Sequence, residues 1–518
     1  MKPLQNFNRM QISKLISNLE DIKQCIEAKE FQISALAKTV VPKYRLSVYN
    51  LYRYIILRTF DLRKYHDKLS ELGVSSIRTS QGYIYSNLCT VLKNLRLLNG
   101  EEVRIEQEIK LDQSTLIGFE RSKKLLKKNT NRLFKRKQKK HFAEIMVTLP
   151  TTAARDKGII QEMADNGMAI ARINLSHDTK AEWLNMVNFI KDINNKTHHN
   201  IKIYMDLSGP KFRTSQIELK DKKGKLKDKI IIKEGDHIVL TKRKTKGKSS
   251  VFTKKGNQIE RAEIGVMLDE IIDAIAVDDV VMFDDGMIKA VATAKDQTDV
   301  DLKITAAYKN KLSSHKGINL PNSRYDMPAL TEADIDNLEF VCQHADIVGY
   351  SFVKSENDVA ILYNHLKPYN TENLGVVFKI ETQEAFENLP SILVEGMKHH
   401  SIGVMIARGD LAVELGFERI SEVQNQILWL CEAAHVPVIW ATQVLENLAK
   451  TGIPTRAEIS DAIMGAHAEC IMLNKGPFIN NAIRTLENIL VRMESHGFKQ
   501  KNALRPLNIA KQSLNVLD

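Results

Sequence analysis

The 518-residue sequence has no apolar run long enough to span a bilayer. Its start, MKPLQNFNRMQISKL, lacks the apolar core that a signal peptide needs. Its five cysteines, Cys25, Cys89, Cys342, Cys431 and Cys470, are odd in number and widely scattered. They form neither a disulfide framework nor a metal-ligand spacing. These absences predict a reduced, cytoplasmic protein with no membrane association. Between Met10 and Lys140 there is one proline, Pro42, and few glycines, so that stretch has almost no helix breakers. No heptad is sustained there, which argues against a coiled coil. Acidic residues are missing from one place: residues 121–140 hold eleven Lys/Arg and no Asp or Glu, nearly all of the net charge of +12. The basic balance therefore describes one segment and implies no general affinity for nucleic acid. With only Phe134 among those residues to stack on bases, single-strand binding is unsupported. The tract reads as a patch for a polyanion or, more plainly, as a solvated helix end running into a linker.

What remains is ordinary for a folded protein, with 43% hydrophobic and 27% charged residues. The length implies two to four domains. In residues 1–140 apolar positions recur at three- and four-residue steps, as in Leu15, Leu19, Ile22 and Ile26, or Leu88, Val91, Leu92 and Leu95. This predicts an all-α N-terminal region of hairpins or a bundle, serving packing or homo-oligomer assembly. From Glu144 the texture alternates. IMVTLP, AIARINLSHD, IKIYMDLSGPKFRT, DIVGYSFVK, VVFKIET, GVMIARGD, PVIWATQVL and CIMLNKG are eight short apolar runs, with helical periodicity in most of the gaps. That pattern predicts a (β/α)8 TIM barrel over residues 141–214 and 318–498. The long gap after the third run alternates apolar and polar residues between turn signals, predicting an all-β insertion, a β-barrel lid, at 215–317. Residues 499–518 are a short tail.

Residues 376–411 carry the densest chemistry. Two apolar runs end abruptly in charge, at Lys379 and Glu381 and at Arg408, Gly409 and Asp410. Barrel enzymes present catalytic groups at the C-terminal tips of their strands. Lys379 and Glu381, two apart, share a side of a strand. Carboxylates from adjacent strand ends suit a hard cation such as Mg²⁺, and a lysine beside them suits a phosphoryl group or an enolate oxygen.

In order along the chain stand ARINLSH, MDLSGPKFRT, FDDG, HKGINLP, FKIET, ARGDLAVE, and ATQVLENL followed by PTRAEISD. This series resembles the pyruvate kinase family over about two thirds of the chain. The resemblance implies phosphoryl transfer from phosphoenolpyruvate to ADP with Mg²⁺ or Mn²⁺. It implies Lys379, Thr442 and Arg172 as catalytic groups, with Lys379 on the transferring phosphoryl and the enolate oxygen and Thr442 aiding protonation of the enolate carbon. Arg172 and Arg213 would bind phosphate. Glu381 and Asp410 would hold the Mg²⁺, and the amides of Arg408, Gly409 and Asp410 the substrate carboxylate. His177, Asp285 and Lys316 fall near the nucleotide. Asn174, Ser176 and Asp206 match the surroundings of the family's monovalent cation.

Several positions depart from the family pattern. Lys211 stands in GPKFRT where many relatives have a glutamate that accompanies a K⁺ requirement. Its ammonium is expected to neutralise Asp206, so that K⁺ is not required. Only Lys316 precedes GINLP, Leu149 replaces the glycine before Pro150, and MLNKGPF is shorter than the family's loop after the eighth strand. The family's C-terminal domain has no counterpart, and the N-terminal helical region is additional. The alternatives are another Mg²⁺-dependent barrel enzyme of phosphoenolpyruvate or pyruvate, and a non-catalytic binding protein.

Overall fold

A computed structural model describes residues 9–75, 77–134, 142–220, 226–253, 258–321, 323, 327–494, 497–498 and 501–502. Its centre is a closed barrel of eight parallel strands in sequential order. These are β1 (Glu144–Thr148), β2 (Ile170–Asn174), β3 (Lys202–Asp206), β4 (Ile347–Tyr350), β5 (Gly375–Ile380), β6 (Ile402–Ala407), β7 (Val438–Ala441) and β8 (Cys470–Leu473). β1 pairs with both β2 and β8, which closes the ring. Most of these strands are buried on both faces, which explains their continuous apolar runs. Met146, Ile170, Tyr204, Ile347, Val377, Met405, Ile439 and Met472 fill the interior, while the alternate residues pack outward on the helices.

Four longer helices dominate the N-terminal region: α1 (Arg9–Ala28), α2 (Arg45–Leu57), α3 (Ile84–Leu98) and α4 (Phe119–Phe134). This region shares one continuous apolar cluster with the barrel exterior. Asn50 Nδ2 donates to Ala433 O at 2.8 Å, and Val41 N to Met397 O at 3.1 Å. The basic stretch divides at Phe134. Residues 121–134 belong to α4, which buries Leu126, Leu133 and Phe134 and exposes its lysines; residues 135–140 lie outside the described part. Leu133 and Phe134 join the barrel's interior core. Side chains at Gly375 and Gly403, on the first turns of β5 and β6, would collide with Leu133. The helix thus plugs the N-terminal end of the barrel.

The insertion between β3 and β4 holds a six-stranded sheet in the order 262–265, 237–241, 299–307, 288–295, 280–283 and 318–319. It has a core of its own that includes Ile238, Leu240, Phe283, Leu302 and Ile304. Among the described residues its hydrogen-bonded sheet is open, and short ribbons and the helix Glu270–Ala274 accompany it. The sheet also takes in Ile318–Asn319, which pairs with Met282 and Phe283, two residues past the expected boundary. An Arg213↔Gly317 bridge joins the two strands that enter and leave the insertion.

Candidate active site

The C-terminal ends of the barrel strands surround a cavity of about 140 Å³. Arg172 and Asn174 come from β2, Asp206 from β3, Ser351 follows β4, Lys379 comes from β5 and Glu381 follows it, and Asp410 and Thr442 follow β6 and β7. Ser176, Lys211 and Arg213 complete the predicted residues that line it. The period of two along each strand turns paired residues inward together.

Lys379 is the hub. Its Nζ is buried and lies 2.7 Å from Ser351 Oγ, 3.1 Å from Glu381 Oε1 and 3.2 Å from Asp206 Oδ2. Burial works against its charge, but Asp206 and Glu381 outweigh burial and hold its pKa above the ordinary lysine value. Asp206 also takes Arg172, whose Nη1 reaches Thr148 Oγ1 at 2.9 Å. Burial would raise the Asp206 pKa; Lys379 and Arg172 reverse that and lower it. A side chain at Gly349 would strike Tyr204 and Asp206, so glycine in β4 lets this carboxylate sit within the ring.

Glu381 Oε2 accepts from Phe352 N at 2.7 Å. Its pKa is raised, first by burial, with Lys379 opposing and Asp410 adding repulsion. The two carboxylates line the same cavity. Among the described residues no group of three or more His, Cys, Asp and Glu is placed to hold a metal. The site therefore suits a hard divalent ion only if substrate and water oxygens complete the shell.

Asp410 lies in the first turn of the helix α5 (Arg408–Leu415). Lys211 Nζ sits 2.7 and 3.0 Å from its two oxygens. Burial opposes ionisation, but Lys211 keeps the Asp410 pKa below the usual range. This corrects the expected partner: Lys211 meets Asp410, whereas Asp206 is taken by Arg172 and Lys379. The loop before Lys211 is held from outside the cavity, because Asp334 accepts from Ser208 N at 2.8 Å and Gly209 N at 3.1 Å. Asp334 also closes the capping box begun by Thr331 on the helix Glu332–His344.

Thr442 has φ +68°, a left-handed conformation costly for a β-branched residue. Its Oγ1 accepts from Gly409 N at 2.8 Å. Arg408 stacks on Trp440, with its Cζ 4.5 Å from the ring centroid, and binds Ala441 O, Thr442 O and Asp461. The guanidinium therefore buttresses the strained turn, and Arg408 and Gly409, both expected at the substrate, are absent from the cavity wall.

The residues expected at the nucleotide do not join this ring. His177, Asp285 and Lys316 are absent from the cavity wall. Lys316 pairs with Asp284 at 2.9 Å, and Asp284, Asp285 and Gly286 form a left-handed turn of the insertion. Burial, Lys475 and Arg213 push the His177 imidazole below its ordinary pKa.

Sequence reading missed Ser351, Asn319 and Glu414. Ser351 follows an apolar run in DIVGYSFVK, the strand-tip position that marked the other groups. Asn319 comes from the insertion, and its Nδ2 lies 3.5 Å from both Asp410 and Glu414. Burial pushes the Glu414 carboxyl up to about 7, the Asn319 bond opposes this, and Asp410 adds to it. No local pattern marks this pair, because it forms only where the insertion meets the barrel.

A family model described as the pyruvate kinase barrel domain matches residues 140–477. Curated relatives bearing the name pyruvate kinase align over two thirds of the chain. That of Sporosarcina psychrophila is 28% identical over 350 residues, 66% of this chain and 56% of the relative. That of Staphylococcus haemolyticus is 27% identical over the same shares. That of Staphylococcus aureus strain USA300 is 28% identical over 351 residues, 66% and 55% of the two chains. The chain thus spans little more than half the length of these relatives. Among the described residues no helix is long and apolar enough to cross a membrane.

Proposed function

The chain belongs to the pyruvate kinase family, and from that premise we propose that its cavity transfers the phosphoryl group of phosphoenolpyruvate to ADP, giving pyruvate and ATP in the cytoplasm. One observation carries this reading. A buried lysine is held charged by Asp206 and Glu381 at 3.2 and 3.1 Å, beside a second carboxylate on the next strand end.

Phosphoryl transfer depends on positioning and charge neutralisation more than on covalent chemistry. Lys379 supplies a preorganised cation for the migrating phosphoryl group and the enolate oxygen. Arg172 and Arg213 face the same cavity and bind phosphate oxygens. The Arg408, Gly409 and Asp410 amides, at the start of α5, take the substrate carboxylate. Thr442 holds a water that protonates the enolate carbon, which draws the transfer to completion. The insertion closes over ADP and excludes water, which would otherwise take the phosphoryl group; His177, Asp285 and Lys316 contact the nucleotide in that closed form.

Glu381 and Asp410 would hold Mg²⁺ or Mn²⁺, which would supply positive charge against the substrate's anionic oxygens. Lys211 brings a fixed ammonium to the cavity, so we assign no requirement for K⁺ to the reaction. The test is a coupled assay of pyruvate formation with and without ADP. Pyruvate formed only with ADP, with ATP in equal amount, is the expected result. Pyruvate formed without ADP would move the assignment to another enolate-forming barrel enzyme.

A further inference from the structure

At the base of the barrel, opposite the catalytic mouth, three cations gather where the helical region meets the start of β6. Lys43 reaches across from the helical region and donates to His400 O. The adjacent Tyr44 is buried and hydrogen-bonds the backbone of Ile402, the first residue of β6. Arg132 lies on α4 one residue before Leu133, which packs over Gly375 and Gly403 at the first turns of β5 and β6. Lys43 and Arg132 are half-buried, and Lys128, one helical turn before Arg132, is exposed.

Among the described residues none of these three cations has a salt-bridge partner, and Arg132 Nη1 is buried without a hydrogen bond. Two further buried polar atoms beside them are unpartnered: Ser401 Oγ and His399 Nε2. His399 accepts from Ser401 N at 3.3 Å and faces Lys43 and His400. Glu395, the acid of the preceding helix, is engaged by Lys398 at 2.6 Å. Burial, Arg132 and Lys128 together press the Lys43 pKa down to about 8. Crowded cations with unsatisfied donors are stabilised by a compact oxyanion able to accept several charge-assisted hydrogen bonds.

We propose that this seam between the helical region and the start of β6 binds a phosphate group, with Lys43 and Arg132 as its main contacts and Lys128 adding charge. Inorganic phosphate and a phosphorylated metabolite share this chemistry. The site is independent of the catalytic cavity and of the reaction assigned to it.

Lys43 itself supplies a local readout. An amine with this pKa is acylated readily near neutral pH, and a bound phosphate would shield it. The full chain is treated with limiting acetic anhydride in the presence of chloride, inorganic phosphate or a sugar monophosphate at equal ionic strength, and acetylation is read residue by residue by mass spectrometry. Phosphate is expected to slow acetylation of Lys43 by about tenfold relative to chloride, leaving Lys93 and Lys367 unaffected. Protection by the sugar phosphate at much lower concentration would identify a metabolite as the ligand; equal potency would identify the free anion. Arg132→Gln should abolish the protection, and Arg132→Lys should restore part of it. Equal acetylation of Lys43 in chloride and in both phosphates would overturn the proposal, and wild-type protein alone suffices for that result. Undiminished protection in a folded Arg132→Gln variant would overturn it as well.

Discussion

Lys211 places its ammonium on both carboxylate oxygens of Asp410, at 2.7 and 3.0 Å, although the residues lie 199 positions apart. The lysine thereby neutralises a carboxylate proposed for the divalent metal. Its stem lies against Gly317, where the chain leaves the insertion.

The first prediction follows from that pair. Activity should be independent of K⁺ when assayed in a tetramethylammonium buffer with Mg²⁺ at constant ionic strength, which holds screening fixed. Lys211→Glu should lower activity without K⁺ and regain part of it when K⁺ is supplied. A tenfold or larger response of the wild-type kcat to K⁺ would show that the lysine does not replace the ion.

The second concerns the metal. Glu381→Gln and Asp410→Asn each remove an anionic oxygen from a hard cation with few protein ligands. Half-saturation by Mg²⁺ should rise sharply in both, and removal of divalent ions by a chelator should abolish turnover of the wild type. Unchanged Mg²⁺ dependence in both variants would place the metal elsewhere.

The third concerns Lys379. Lys379→Met should cost roughly 3–4 kcal/mol or more in transition-state stabilisation, the range for loss of one preorganised donor. The fall should appear in kcat, by about two to three orders of magnitude or more. Wild-type turnover in a folded variant would remove Lys379 from the reaction.

The fourth concerns the joint between helices and barrel. Buried His435 contacts Ser47 Oγ through Nδ1 at 3.1 Å and Gly82 O through Nε2 at 2.9 Å, and its own carbonyl accepts from Asn129 at 2.7 Å. Burial pushes its imidazole down to about 4, against about 6.5 in an unfolded chain. Between those values the unfolded state binds a proton that the folded state does not. Stability from this residue is therefore full above about pH 6.5 and falls as pH drops towards 4, by on the order of 3 kcal/mol. His435→Asn suits the residue's left-handed φ of +52° and should flatten denaturant-derived stability over that window. An equally steep slope in the variant would assign the acid sensitivity to other groups.

The strand-tip groups were legible because a barrel needs only local pattern to aim them. In FKIET the spacing of Lys379 and Glu381 specifies a shared side, and the apolar run before them specifies the strand. ARGDLAVE announces Asp410 in the same way. The partner of Lys211 was not legible, since its choice between Asp206 and Asp410 depends on where three loops converge. Asp206 already carries Arg172 and Lys379, and a third cation would meet repulsion there. Asn319 was hidden because the motif GINLP does not reveal that its asparagine faces another domain's helix.

By itself, the sequence determined the eight apolar runs, the helical periodicity before them and the residue types at the strand ends. These are properties of two- and four-residue spacing, set by burial and backbone geometry close to each residue. The tertiary structure alone decided that Leu133 and Phe134 stopper the barrel, that the helical region shares the barrel's core, and that Lys211 rests on Asp410. Each of these joins groups far apart in the chain, where competition for space and for charge selects the partner, and no local spacing encodes the outcome.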